Sequence, residues 1–444
     1  MTADTAFHMA SVSKVFVGAA IAMLIDQKVI ASLDDDICDV LPTDFNLTAC
    51  QNPYFPDQVV TWRMLATHRS SLIGDIPYVQ DPVTGQNVTA AYGPSGGYDP
   101  DIPAAGNPTC PLTDVQGFYR DIMLDQESET SVGRTGDGFD DINWYNVAQD
   151  DLEGGVWNPE DPPGSYNDYS NFAVGYIAAL VEYATGISLE DYCQSNVFQP
   201  LGMTRTSWFM ESLPEGTVTA MPTYVTLDAN NQPQWTDVGY YCYIDYASGQ
   251  LHTTANDMAQ WGDAMLQRGV PMLWTNETAT SSVFGCQEQD ETGMFLDETG
   301  NVTACQHALL WGMLDNDKKE YWFQDILESD DDFENWIAPF LDLDWTDAAE
   351  HAGGEFGIQT QLIVFPAAGV YAAAMASTSG NDEAAAQMLI KVLAEAAMDM
   401  IEKGENAGTG VEGSNQTAIT NATMTMPGNL TGDLEEPAVS KSNP

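Results

Sequence analysis

Ser11-Val-Ser-Lys14-Val-Phe-Val-Gly-Ala-Ala-Ile-Ala-Met-Leu-Ile25 is the stretch that decides how this chain is read. Ser11 and Lys14 stand at i and i+3, so on a helix they share one face. Eleven apolar or small residues follow Lys14, which leaves the helix almost no polar side. The spacing therefore predicts a buried helix over 11–30, with Lys14 buried or lining a site. A serine hydroxyl is a poor nucleophile until a neighbouring base takes its proton, and a desolvated lysine can be that base. The start of a helix adds a positive field at Ser11. The bland readings are an N-cap serine and a lysine that snorkels to solvent. Ser-x-x-Lys alone is weak, so the reading needs partners elsewhere.

Two further stretches supply them. Pro163-Gly-Ser-Tyr-Asn-Asp-Tyr169-Ser170-Asn171 contains a Tyr-x-Asn. Glu350-His351-Ala-Gly353-Gly354-Glu-Phe-Gly357 contains a His-x-Gly ahead of alternating apolar residues (Ile358, Leu362, Val364). Without further context, Tyr169 reads as a core aromatic, Asn171 as a helix cap and His351 as a satisfied edge-strand histidine.

Ser-x-x-Lys, Tyr-x-Asn and Lys/His-x-Gly in this order resemble the motif set of the penicillin-recognising serine hydrolases, in the branch of class C β-lactamases, D-alanyl-D-alanine carboxypeptidases and related esterases. Lesser markers run along residues 3 to 400, among them Val60–Leu72, Pro200–Thr206 and Ala247–Trp261. The resemblance implies an α+β, β-lactamase/transpeptidase-like fold: an antiparallel sheet flanked by helices, plus a helical lobe. It implies that Ser11 attacks a carbonyl, that Lys14 and Tyr169 move the proton, and that Asn171 binds the substrate's acyl side chain. His351 would support the tyrosine and the substrate, with Gly353 and Gly354 letting the strand approach. The backbone N–H groups of Ser11 and Gly354 would form the oxyanion hole. His68 would be structural support. A histidine rather than a lysine at 351 weakens recognition of a free carboxylate, and so favours a small ester or amide.

Composition bounds the partners. Lys and Arg number 13 against 66 Asp and Glu, a formal net charge of −53. That disfavours nucleic acid, which needs a basic face, and anionic lipid. It fits a solvated acidic surface. No cysteine or histidine spacing matches a metal site, and the expected chemistry needs no cofactor. The substrate is expected to be a small molecule or peptide; the sequence leaves the oligomeric state open. No segment is long enough to span a membrane, the longest apolar run being Val15–Ile25. Seven Asn-x-Ser/Thr sequons, at Asn46, Asn87, Asn276, Asn301, Asn415, Asn421 and Asn429, suggest a secreted glycoprotein. Seven cysteines fit that compartment. Cys38/Cys50 and Cys286/Cys305 are candidate local disulfides, and Cys110, Cys193 and Cys242 remain, leaving at least one free thiol.

The organisation reads as one hydrolase domain over 1–404 and a disordered Asn/Thr/Gly-rich tail over 405–444. Two polar insertions, 76–162 and 276–306, interrupt the domain; an amphipathic piece lies near Val115–Leu124 in the first. Helices are expected at Phe172–Ala184, Glu190–Val197, Ala255–Arg268 and Glu383–Lys403. Strands are expected at Tyr240–Tyr246, Leu251–Thr254, His307–Leu314, Phe356–Phe365 and Gly369–Ser377. Met1 reads as an internal start, with a signal peptide and first sheet strands expected upstream. A competing reading is a catalytically inactive scaffold or surface glycoprotein on the same fold.

Overall fold

The computed structural model describes residues 1–43, 50–74, 78–80, 87–89, 116, 119, 123, 156–165, 167–227, 233–237, 240, 245–275, 277–285, 287, 295–296, 302–304, 307–314, 344–346, 348–355, 357–379 and 418–419. The apolar run becomes helix α1 (Lys14–Asp26), preceded by a 3₁₀ turn over Ala10–Ser13. A helix apolar on every side has to be buried, and every residue from Lys14 to Ile25 is. Neighbouring backbone comes very close: a Cβ at Gly18 would collide with the carbonyl of Leu309.

Helix α2 (Asn171–Thr185) is capped by Ser170, whose side chain accepts from Ala173 N, and stops at Gly186 in the left-handed region. The cap is thus Ser170, and Asn171 is the first helical residue; the shorter hydroxyl reaches the free N–H. The segment after α2 is an α-turn over Leu189–Cys193 that runs into a π-turn over Gln194–Phe198. Helix α3 (Ala255–Leu266) is capped by Thr254.

The main sheet has five strands in the order Ala418–Ile419, Val370–Ala376, Ile358–Phe365, Ala348–Glu355, Gly312–Leu314. All pair antiparallel except the short Ala418–Ile419 segment, which is parallel. The fold is α+β, with a mainly antiparallel sheet and helices, as the sequence led one to expect. Numbering only the strands used below, β1 (Ala6–His8) pairs antiparallel with β2 (His252–Thr254), setting His8 opposite His252. Strand β3 is Ala348–Glu355 and β4 is Ile358–Phe365, with His351 opposite Leu362 and Gly353 opposite Thr360.

Of the expected strand Tyr240–Tyr246, residues 241–244 lie outside the described residues, and Tyr246 lies in a 3₁₀ turn (Tyr246–Ser248). Of His307–Leu314, only Gly312–Leu314 is strand, because Ala308–Trp311 bends and turns its own backbone inward. Cys38 and Cys50 form a disulfide, and Cys193 is a buried free thiol. Cys286, Cys305, Cys110 and Cys242 lie outside the described residues, as do Asn46, Asn276, Asn301, Asn415, Asn421, Asn429, the expected helix 383–403 and most of both insertions and the tail. Asn87 begins a short strand, Asn87–Thr89. Gln116, Tyr119 and Met123 are helical, with the last two buried, as an amphipathic piece requires. Among the described residues no single helix is long and apolar enough to cross a membrane.

Candidate active site

Ser11 lies in the 3₁₀ turn and Lys14 is the first residue of α1. A 3₁₀ turn has three residues per turn, so i and i+3 eclipse, and the two side chains meet. Lys14 Nζ donates to Ser11 Oγ at 3.0 Å and to the Ser248 carbonyl at 2.6 Å. The lysine is fully buried and Ser11 half-buried. A buried ammonium or amine needs such partners.

The turn is clamped from three sides. Met9 N donates to Leu251 O at 2.7 Å. Ser13 Oγ donates to Ala10 O at 2.6 Å and accepts from Leu251 N at 3.0 Å. Thr360 Oγ1, from β4, donates to Met9 O at 2.7 Å. Ala10, just ahead of Ser11, is held at φ 46°, a region a residue with a Cβ seldom adopts. Strand β3 completes the enclosure at Gly353. A Cβ there would stand 2.7 Å from Met9 O and 3.1 Å from Ser11 N, and would run into Thr360 Oγ1. Glycine is required for that approach. Gly354, next along, is exposed, with nothing within 4 Å of where a Cβ would stand.

Tyr169 is 44% exposed, and its ring centroid is 4.9 Å from Lys14 Nζ. Its segment is tied to residues 67–68. Asn167 Nδ2 donates to Thr67 O at 2.8 Å, Asp168 N to His68 O at 2.7 Å, and Ser170 N to His68 Nδ1 at 3.1 Å. The His68 ring lies 4.5 Å from that of Tyr169. Asn167 Nδ2 also donates to His307 Nδ1, at 3.2 Å. Asn171 is half-buried at the start of α2, with its backbone N–H on Gly74 O at 2.6 Å.

His351 shares a strand face with Gly353, because side chains alternate along β3, so it lies on the side that meets the Ser11 turn. Its pKa is pushed down to about 3, first by burial and then by the neighbouring Lys14. His68 is also held well below the ordinary histidine value, by burial and then by His307, Lys14 and His351. Its Nδ1 accepts a backbone N–H, as a neutral ring does.

The structure thus gathers Ser11, Lys14, Tyr169, His351 and Gly353, five residues from three separate sequence motifs. His307, Asn167, Ser13, Ser248 and Thr360 join them without any sequence signal. Ser248 acts through its backbone carbonyl, which no side-chain pattern records, and His307 comes close only through the bend after it. Among the described residues no group of three or more His, Cys, Asp and Glu side chains could hold a metal ion.

The family model described as Beta-lactamase matches residues 1–94 and 143–397. No curated protein matches the chain. Solved structures do. The octameric penicillin-binding protein homologue from Pyrococcus abyssi is 16% identical with a TM-score of 0.53, over 91% of this chain and 67% of that one. The D-amino acid amidase from Ochrobactrum anthropi SV3 is 13% identical with a TM-score of 0.51, over 91% of this chain and 86% of that one. The beta-lactamase/D-alanine carboxypeptidase from Yersinia pestis is 16% identical with a TM-score of 0.50, over 89% and 84%. At these identities the likeness is one of fold.

Proposed function

The chain belongs to the beta-lactamase family, and on that premise we propose that it is a serine hydrolase that acts through an acyl-enzyme on a small ester or amide. The observation that carries this reading is the contact of Lys14 Nζ with Ser11 Oγ at 3.0 Å, under full burial of the lysine. When Lys14 is the free amine, the same contact lets the Ser11 hydroxyl donate to Nζ as its oxygen attacks the carbonyl. The carbonyl carbon becomes tetrahedral. Its oxyanion takes the backbone N–H groups of Ser11 and Gly354. The Lys14 proton, relayed through Tyr169, goes to the leaving alkoxide or amine. A water then attacks the acyl-enzyme with the same groups acting in reverse, and the acid departs. Asn171 binds the acyl side chain. The names of the similar structures, an amidase and a carboxypeptidase, support hydrolysis of this general kind.

The test is hydrolysis of a short-chain p-nitrophenyl ester by the full chain and by a Ser11→Ala form. The reading requires turnover that Ser11→Ala abolishes; equal turnover in the two would reject it.

We also propose that the protein is a secreted glycoprotein, on the seven sequons and the Cys38–Cys50 disulfide. Produced in a eukaryotic secretory host, it should lose mass on glycosidase treatment. An unchanged mass would remove this reading and leave the hydrolase reading untouched.

A further inference from the structure

Lys14 carries its nitrogen on a long flexible stem, so burial alone does not aim it. Its aim is set by the oxygens it meets, Ser11 Oγ at 3.0 Å and the Ser248 carbonyl at 2.6 Å. The carbonyl can steer the lysine only if the backbone that carries it is held still. That backbone is one short 3₁₀ turn, Tyr246–Ser248, and such turns have poor hydrogen-bond geometry of their own. A side-chain bond reinforces this one. Ser248 Oγ donates to Asp245 Oδ2 at 3.0 Å, alongside the backbone bond from Ser248 N to Asp245 O at 2.7 Å. Both residues are buried, and a hydrogen bond to a carboxylate is among the stronger kinds.

The aspartate has no room to move away. Gly175 of α2 packs directly on it: a Cβ there would stand 2.7 Å from Asp245 Cβ and would run into Tyr119 Oη. Tyr119, from the first insertion, is fully buried, stacks on Tyr176 at 5.4 Å and donates to Phe172 O at 3.2 Å. Burial, and then the neighbouring Asp245 and Tyr246, hold its phenol well above the ordinary value, so a neutral hydroxyl lies beside the carboxylate. Resting on the hydrolase reading above, we propose that Asp245 is a positioning residue for acyl transfer: through the Ser248 hydroxyl it holds the Ser248 carbonyl on Lys14 Nζ, and so aims the lysine at Ser11.

The experiment compares the full chain with Asp245→Ala, Asp245→Asn, Ser248→Ala and the double alanine form on one p-nitrophenyl ester. Asp245→Ala and Ser248→Ala should each lower kcat by about tenfold or more with KM within about twofold, since a displaced lysine slows the chemistry and leaves substrate binding alone. Asp245→Asn should stay within about threefold of the parent, because its amide oxygen accepts from the same hydroxyl. The double form should lose about as much as the worse single form, because the two side chains act as one bond. Unchanged kcat in both alanine forms overturns the proposal. So does an Asp245→Asn loss equal to that of Asp245→Ala, a double form whose losses multiply, or a loss that falls on KM. If Asp245→Ala fails to fold, Ser248→Ala and Asp245→Asn decide by the same criteria. A second readout needs no turnover. In crystals of Ser248→Ala, Lys14 Nζ should lie beyond hydrogen-bond reach, about 3.5 Å, of Ser11 Oγ or of the carbonyl at 248. Both contacts kept as in the parent overturns the proposal. Ester turnover that is absent, or indifferent to Ser11→Ala, removes the hydrolase reading instead, and the crystals still decide whether the Asp245–Ser248 bond places the lysine.

Discussion

The turn that carries Ser11 and the segment that carries Tyr169 lie on either side of Lys14, and they are held by different means. The Ser11 turn is held by backbone and hydroxyl groups: Leu251, Ser13, Ala10 and Thr360 make its hydrogen bonds, and Gly353 packs against it with no side chain between. None of these groups titrates near neutral pH. The Tyr169 segment leans on imidazole. Ser170 N donates to the bare Nδ1 of His68, Asn167 to that of His307, and the Tyr169 ring lies against His68. The first region is positioned whatever the pH; the second depends on His68, which burial keeps neutral well below the ordinary histidine range. A nucleophile set by close packing and a proton carrier set by titratable rings should therefore respond differently to mutation and to acid.

The largest effects belong to the Ser11 side. In the proposed reaction, Ser11→Ala removes turnover altogether, and Lys14→Ala lowers kcat by roughly 10³-fold or more while the protein stays folded. Steady-state kinetics on a p-nitrophenyl ester measures both. Next comes Gly353→Ala, which forces β3 away from Met9 and Ser11. Displacing the nucleophile by a fraction of an ångström should cost on the order of 10²-fold in kcat/KM. Activity within a factor of two of the parent would show that the close approach is not needed.

His68→Ala should act more gently, since it removes the acceptor for Ser170 N and the ring beside Tyr169 without touching Ser11. About tenfold in kcat is expected, with little change in KM. A His68→Gln form, whose side-chain oxygen can accept the same N–H, should recover part of the loss. Equal losses in the two variants would mean that the ring's bulk matters and its acceptor does not.

The smallest effect is one of stability against pH. His8 and His68 have folded-state pKa values well below the ordinary one, His252 is at about 4 and His351 at about 3, each through burial first. The unfolded chain binds these protons near pH 6.5, before the folded chain does. Stability from these groups is therefore complete above about pH 6.5 and falls as pH drops towards 4. Glu190 and Asp257, pushed up by burial, work in the opposite sense. Urea unfolding at pH 7 and pH 5 should show a lower midpoint at pH 5. His8 and His252 stack 4.9 Å apart across β1 and β2. A His252→Gln form should therefore show a shallower fall, and an unchanged fall would remove that pair from the account.

How much of this was legible in the sequence follows the same division. Ser11, Lys14 and the helix behind them were readable because burial and a three-residue spacing are local properties. Apolar alternation marked the strand that carries Thr360, but the strand Ala348–Glu355 entered only through the motif at His351, and the pairing of Gly353 with Thr360 was not read. What holds Tyr169 was readable only in part: the resemblance gave His68 as structural support, without saying which segment it holds. His68 adopts φ 58°, which turns its ring onto a segment about a hundred residues away, and His307 arrives by a bend inside a stretch that reads as strand. Long-range contacts through single rings leave no period in a sequence. Nor does the Ser248 carbonyl, since every residue has one. Ser170 rather than Asn171 as the cap of α2 could have been chosen, because serine is a preferred cap and sits one residue earlier.

The central claim is that Ser11, activated by Lys14, takes the acyl group. It is tested most directly by treating the full chain with a fluorophosphonate and mapping the adduct by mass spectrometry. The account predicts one phosphonylated serine, on the peptide that contains Ser11. It also predicts labelling slowed by orders of magnitude in Lys14→Ala and none at that site in Ser11→Ala. A chain that turns over ester while its adduct maps to another residue, or that labels at the same rate without Lys14, would contradict it.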